Sequence, residues 1–292
     1  MLKLRPDSNL PSNAADPLVS VVIPTRNHAK FLPESIGSAI AQTYLNLEIL
    51  VLDNASTDNT TDVVLSIAKQ DNRVRYIRNE TDIGLAQNFN RGISLASGDY
   101  INILCADDLI EPVFIQKMIE AFRETPGVAL AGCARQQINT NGISISAPLA
   151  FSSSSGFFEG PETIIRCLLH GNLIGEPSAV LFLKNNAQRG FSLSYSQLID
   201  LEFWFLLLES GSFAFVAEPL CKVRRHEGQM TLKNLLWGKA ARDEMRIYLD
   251  YARKKYVKLS SLKRAKLILR RLIFCISSPF HALAVKTVSV LR

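Results

Sequence analysis

The chain is poor in the residues that build redox and metal frameworks. Its 292 residues include five cysteines, four histidines and two tryptophans. The cysteines (105, 133, 167, 221 and 275) are odd in number and form no Cys-x-x-Cys pair. That excludes a disulfide framework and a cysteine-based zinc site, and suits a reducing compartment. No Gly-x-Gly-x-x-Gly follows the first strand pattern, which disfavours a dinucleotide fold, and no Gly-Lys-Ser/Thr is present to form a P-loop. No run reaches the roughly 18 apolar residues of a membrane span. Residues 1–17 are polar, rich in Pro, Asn and Ser, and lack the apolar core of a signal peptide. The expectation is a flexible lead-in and a cytoplasmic protein.

Acid is also missing at one end, since no Asp or Glu follows Asp250. Residues 1–232 carry 18 Lys/Arg against 24 Asp/Glu, and residues 233–292 carry 15 against 3. The formal net charge of +6 therefore belongs to the C-terminal segment. The chain is 47% hydrophobic and 21% charged, a globular composition long enough for one large domain with an appendage.

What is present over residues 19–104 is an alternation of apolar strands and helical patterns, the signature of a parallel sheet covered by helices. Strands are expected at Val19–Pro24, Glu48–Leu52, Val74–Arg78 and Tyr100–Leu104. Helices are expected near 31–42, 58–70 and 84–97, then over Pro112–Glu124. Beyond Val128 the pattern changes. Val128–Ile138 and Ile143–Ile145 around Asn141-Gly142 read as a hairpin, and 152–156 as a flexible loop. Pro161–His170 and Leu198–Leu208 read as helices, Ser178–Leu183 and Phe213–Arg225 as strands, and 232–292 as mostly helical. The expected division is 1–17 lead-in, 18–231 catalytic domain (18–127 and 128–231 as its halves) and 232–292 basic extension.

Ligands of open parallel sheets sit outside the carboxyl ends of the strands. Strand one ends Pro24-Thr25-Arg26-Asn27, strand two Asp53-Asn54-Ala55-Ser56, and strand four runs into Cys105-Ala106-Asp107-Asp108. Adjacent carboxylates raise each other's pKa unless a cation lies between them. A hard divalent metal is the simplest such cation, and it commonly also binds substrate phosphates.

Four segments carry a specific resemblance: Val19-Ser-Val-Val-Ile-Pro-Thr-Arg-Asn27, Leu52-Asp-Asn-Ala-Ser-Thr-Asp58, Gly84 to Tyr100 with Asn90-Arg-Gly-Ile and Ala96-Ser-Gly-Asp-Tyr, and Ala106-Asp-Asp108. In this order they resemble the family-2 glycosyltransferases of the GT-A fold, over roughly residues 18–230. The resemblance implies an α/β fold: a Rossmann-like mixed sheet flanked by helices, with the basic helical extension appended. It implies Pro24, Thr25, Asn27 and Asp53 along the base and ribose of a nucleotide-sugar. Asp107 would hold a divalent metal, Mn2+ or Mg2+, at the diphosphate. Asp108 is either a second ligand or a cap of the following helix.

Asp200-Leu-Glu-Phe-Trp204 resembles the family's catalytic segment, with Asp200 as general base. Glu202 is the alternative base, and Asp200 as a helix N-cap the bland reading. Arg224-Arg225-His226 resembles the family's Arg-x-His. It makes His226 a metal or diphosphate contact and Arg224 a phosphate contact; a solvated basic loop is the alternative. Two departures bear on the donor site. Cys105 stands where many relatives carry Asp, and Phe89 where many carry Arg, leaving Asn88 as the polar contact. Glu176 is a candidate acceptor contact. His28, His170 and His281 are read as structural.

The implied activity is inverting transfer of a sugar from a UDP- or dTDP-linked donor to a hydroxyl of a glycan or lipid-linked glycan, in bacterial surface polysaccharide synthesis. A non-catalytic nucleotide-sugar-binding or scaffold protein is the alternative, motivated by Cys105. A nucleotidyltransferase would want a glycine-bearing loop after strand one, which Pro24–His28 lacks. Basic residues spaced by leucines over 253–271, then an apolar stretch, suit peripheral contact with the inner face of an anionic membrane. No aromatic platform or recognised module points to nucleic acid.

Overall fold

A computed structural model describes residues 16–226, 238–262, 264–265 and 267–269. The lead-in over 1–15 and much of the C-terminal segment expected to meet a membrane lie outside the described residues.

The strands β1 (Val19–Thr25), β2 (Leu47–Asp53), β3 (Val74–Arg78) and β4 (Tyr100–Ile103) alternate with helices α1 (Leu32–Ile40), α2 (Thr60–Ala68) and α3 (Leu85–Leu95). Every residue of β1 is buried, as its unbroken apolar run demands for a parallel strand covered on both faces. After β5 (Leu109–Ile110) and α4 (Phe114–Glu124) come β6 (Val128–Ile138), β7 (Gly156–Phe158), α5 (Gly160–His170), β8 (Val180–Leu183), α6 (Ile199–Leu208), β9 (Ser212–Arg224) and α7 (Lys239–Tyr251).

The nine strands of the described residues form one mixed sheet, in the order β3-β2-β1-β4-β8-β6-β9-β5, with β7 also pairing with β9, at the other end of that strand from β5. β1 to β4 are mutually parallel. β8 runs antiparallel to both β4 and β6, and β9 is parallel to β6. β9 therefore runs in the same direction as β4, and its C-terminal end comes to the carboxyl edge of the parallel strands. β8 begins at that edge. This topology puts Arg224–His226 and Glu176–Ser178 beside Asp107.

Two apolar layers sandwich the sheet. α1, α2 and α4 pack on one face through Leu32, Ile36, Val64 and Phe122. α3, α5, α6 and α7 pack on the other through Ile93, Ile164, Trp204 and Ile247. α6 is apolar all round and buried nearly throughout, as a core helix must be. The expected boundary at 231 is not a break in packing, because Ile247, Tyr251 and Val257 join this second layer and Tyr256 and Leu259 pack against it.

Two expectations need correction. The hairpin after β6 has no second strand; the return makes only isolated bridges, Ile138 to Ser144 and Arg135 to Leu149. The segment 152–156 is not a free loop. It leads into β7, which pairs with β9, and Phe151 at its start is buried against Phe213 and Phe158.

Candidate active site

A cleft of about 400 Å3 opens at the carboxyl edge of the sheet. Its lining includes Pro24, His28, Cys105 and Asp107, then Glu176 and Arg225, and the run from Ser196 to Asp200. The loop after β1 and the start of α6 both contribute to it.

Three side chains from three loops converge on one point. Ligand atoms of His28, Asp107 and His226 all lie within 4.8 Å of one another. The ring of His226 meets Asp107 Oδ2 through Nε2 at 3.0 Å, and the two imidazoles stand edge to face at 6.2 Å. His28 Nδ1 is buried with no hydrogen-bond partner among the described residues. Burial pushes the His28 pKa below its ordinary value, so at neutral pH it presents a lone pair. Burial opposes the charge of Asp107, but the bond with His226 and the nearby His28 hold its carboxyl below the usual range. Two imidazoles and a carboxylate are the donor set of a divalent transition metal. A buried ring nitrogen without a partner, on a residue of the cluster, is the kind of group a bound cation would satisfy. The residues therefore fit a metal, and they suit Mn2+ better than Mg2+, which prefers oxygen ligands and retained waters. His28, read from sequence as structural, belongs to this group. Its one signal was its place four residues beyond Pro24, at the end of β1.

Asp108 does not join the cluster. Ser178 donates its hydroxyl to Oδ2 at 2.6 Å and the Arg224 amide donates to Oδ1 at 2.9 Å. Burial and the charge of Asp107 push its pKa well above the ordinary carboxylate value. The adjacent pair is thus split into one charged and one neutral-leaning member. Asp108 does not cap α4 either, where the cap position is Val113; it joins the turn after β4 to β8 and β9.

Arg224 is likewise corrected. Its guanidinium is fully buried and donates to the carbonyls of Asp107, Asn139 and Thr140 and to the Glu34 carboxylate. It braces the loops rather than facing a phosphate. Strand alternation turns the next residue, Arg225, toward the cleft. There Glu176 sits between Arg225 at 2.8 Å and Arg135 at 2.6 Å. Burial opposes the Glu176 charge, but the two arginines hold its carboxyl below the usual range.

Most of the residues expected along a nucleotide do not line the cleft. Pro24 lines the cleft. Thr25 is buried, and its hydroxyl has no partner among the described residues. Asn27 takes φ 58°, a left-handed conformation that Asn tolerates. Its amide donates to Ser56 Oγ and its Oδ1 accepts from the Thr57 amide. Asp53 is fully buried and accepts from the Ser56 amide, Tyr76 and Arg78. These bonds lock the loops after β1 and β2 together. Asn88 points inward, bonded to the Leu52 carbonyl and to Asn79, while its neighbour Phe89 lines the cleft.

Asp200 lines the cleft from the first turn of α6, not from its cap, which is Leu198. Asn172 donates to Oδ2 at 3.2 Å and the Leu201 amide to Oδ1 at 2.7 Å. Trp204 anchors the same helix by donating to the Gly175 carbonyl at 3.1 Å. Burial, with the Glu176 charge adding, pushes the Asp200 pKa up to about 7. A carboxylate poised there can take a proton at neutral pH. Glu202, the alternative, is buried away from the cleft and bonded to Arg189 and Tyr251. Cys105 lines the cleft, but burial raises its pKa well above the usual thiol value, so it stays a thiol and a poor ligand for a hard metal.

Comparison with known proteins agrees with this architecture. Residues 20–172 match the family described as glycosyl transferase family 2. Glycosyltransferase GlyG of Streptococcus pneumoniae is 38% identical over 115 residues, covering 39% of this chain and 38% of that protein. The structure of S. aureus TarS 1–349 in complex with UDP-GlcNAc superposes with a TM-score of 0.62 at 14% identity, over 89% of this chain and 81% of that one. The mannosyltransferase PcManGT from Pyrobaculum calidifontis, in complex with GDP-Man and Mn2+, superposes with a TM-score of 0.60 at 17% identity, over 97% and 79%. At those identities the structural likeness is one of fold.

Proposed function

The chain belongs to glycosyl transferase family 2, and from that premise we propose that it moves a sugar from a UDP- or dTDP-linked donor to a hydroxyl of an acceptor glycan, with inversion. The observation that carries this reading is that one cleft is lined by His28 and Asp107 of the His28–Asp107–His226 cluster and by Asp200. The acceptor hydroxyl lies against Asp200, which takes its proton. The freed oxygen attacks the anomeric carbon on the face opposite the diphosphate. The carbon–oxygen bond to the diphosphate breaks, and its electron pair leaves with the nucleotide. One displacement inverts the centre, with no covalent enzyme intermediate.

His28, Asp107 and His226 would hold a divalent cation, Mn2+ before Mg2+, which supplies charge neutralisation at the leaving diphosphate. Arg225 takes the phosphate-facing role that the sequence assigns to Arg224. The acceptor is a surface glycan or lipid-linked glycan, met at the inner face of the plasma membrane. The basic segment over 253–271 would provide that contact.

Calorimetric titration of UDP, dTDP, GDP and NAD, each with and without Mn2+, tests the donor half. Mn2+-dependent binding of UDP or dTDP and none of NAD is expected. Absence of Mn2+-dependent binding for every nucleotide would reject the donor site. Cys105 in the cleft favours one rival, a non-catalytic nucleotide-sugar binder. It would bind UDP or dTDP yet release no free sugar and transfer none.

A further inference from the structure

Helix α6 begins without a side-chain cap of its own, yet the loop leading into it forms the cleft wall that carries Asp200. The missing anchor comes from 45 residues downstream. Asp243 on α7 is fully buried. Its Oδ2 accepts the consecutive amides of Ser196 at 2.6 Å, Gln197 at 2.6 Å and Leu198 at 3.3 Å. Successive amides turned onto one carboxylate make an anion cradle, and bonds of this charged kind are the strong ones. The rest of α7 reinforces the hold. Arg246 donates to the Ser194 carbonyl at 2.7 Å, and Tyr195 donates to Asp250 at 2.6 Å.

A buried carboxylate is expensive unless its hydrogen-bonding sites are used. Holding an otherwise irregular cleft wall in one geometry is a use of that kind. We propose that α7 is a working part of the catalytic unit, with Asp243 as a positioning residue that fixes residues 196–198 and through them the placement of Asp200. Asp243 touches no substrate. It acts by setting where the base sits, and misplacing a catalytic group by about 1 Å can cost on the order of 10²-fold in rate. The inference rests on Asp200 acting as the general base.

The test uses the full chain and three variants, Asp243→Ala, Asp243→Asn and Asp200→Asn. Amide hydrogen exchange is read at 196–198, Mn2+ affinity is read at the His28–Asp107–His226 cluster, and turnover is read as nucleotide release from UDP-GlcNAc and dTDP-glucose. Asp243→Ala is expected to speed exchange at 196–198 by roughly tenfold or more, the size of a lost charged hydrogen bond. Its kcat should fall by about 10²-fold with little change in donor KM or Mn2+ affinity. Asp243→Asn, which keeps an acceptor oxygen, should recover part of both losses. Exchange and kcat in Asp243→Ala indistinguishable from the parent would overturn the proposal. Accelerated exchange together with full turnover in Asp200→Asn would leave the clamp standing and overturn the base assignment instead.

Discussion

A carboxyl group that titrates near 7 is a base at the pH of a cell, and Asp200 owes that value first to burial, which outweighs the Leu201 amide bond and the Arg135 charge. Asp200→Asn removes the proton acceptor and keeps the shape. Turnover should fall by roughly 10²–10⁴-fold with nucleotide affinity unchanged, as steady-state kinetics and calorimetry would show. In the parent, kcat/KM at saturating Mn2+ should rise with pH through about 7 as Asp200 ionises. Stability moves the other way. The folded state holds this proton more tightly than the unfolded chain, whose carboxyl titrates near 3.9. The parent should therefore lose stability relative to Asp200→Asn as pH rises from about 4 to about 7, and lose no more above it. Denaturant melts of both proteins across that range check the sign. At the His28–Asp107–His226 cluster, His28→Ala should weaken Mn2+ binding by roughly 10–100-fold, the scale seen when a metal site loses a supporting group. Manganese titration by electron paramagnetic resonance reads it directly, and unchanged affinity would remove His28 from the site.

At the scale of elements, two helices that meet end to end decide where the base is carried. A Cβ on Gly160, at the start of α5, would overlap the carbonyl oxygens of Leu208 and Gly211 just past α6. Backbone atoms cannot swing aside as a side chain can. Gly160→Ala should destabilise the fold by about 1–3 kcal/mol, seen as a drop in Tm of about 2–4 °C per kcal/mol for a domain of this size. A Tm equal to the parent's would show that the α5–α6 junction has slack. The same scale shows where sequence patterns misled. The Asn141-Gly142 turn chemistry is real, with Gly142 at φ 79°. The return segment alternates over Ile143-Ser-Ile-Ser146, but no layer covers it: Ile143 and Ile145 stay exposed, and Pro148 follows. β7 was invisible because three residues with partly exposed sides leave no period to read; its pairing comes from the long, bulged β9.

For the whole molecule, the charge asymmetry bears on location. No helix of the described residues is long and apolar enough to cross a membrane. The full chain should cosediment with phosphatidylserine vesicles and be released by raised salt, since anionic surfaces attract about 1 kcal/mol per basic residue within a Debye length. A chain ending at 259 keeps Val257 and Tyr256 in the packed layer and should lose vesicle binding. Retained binding would rule out the basic tail as the contact.

The primary structure alone determined the α/β order, because unbroken apolar strands and helical periods are local patterns that burial on both faces requires. It also singled out Asp107, His226 and Asp200, whose neighbours form recognisable motifs. Tertiary structure decided the rest, because side-chain direction and partnership depend on elements far apart in the chain. Asp108 and Arg224 sit within the motifs but are spent on buried hydrogen bonds between β4, β8 and β9. His28 carries no motif, yet strand β1 ends where β9 also ends, and that shared edge makes it a neighbour of Asp107. Asp243 reaches the wall of the cleft from a helix 43 residues beyond Asp200 in numbering, a closeness that only the packing of α7 on α6 creates.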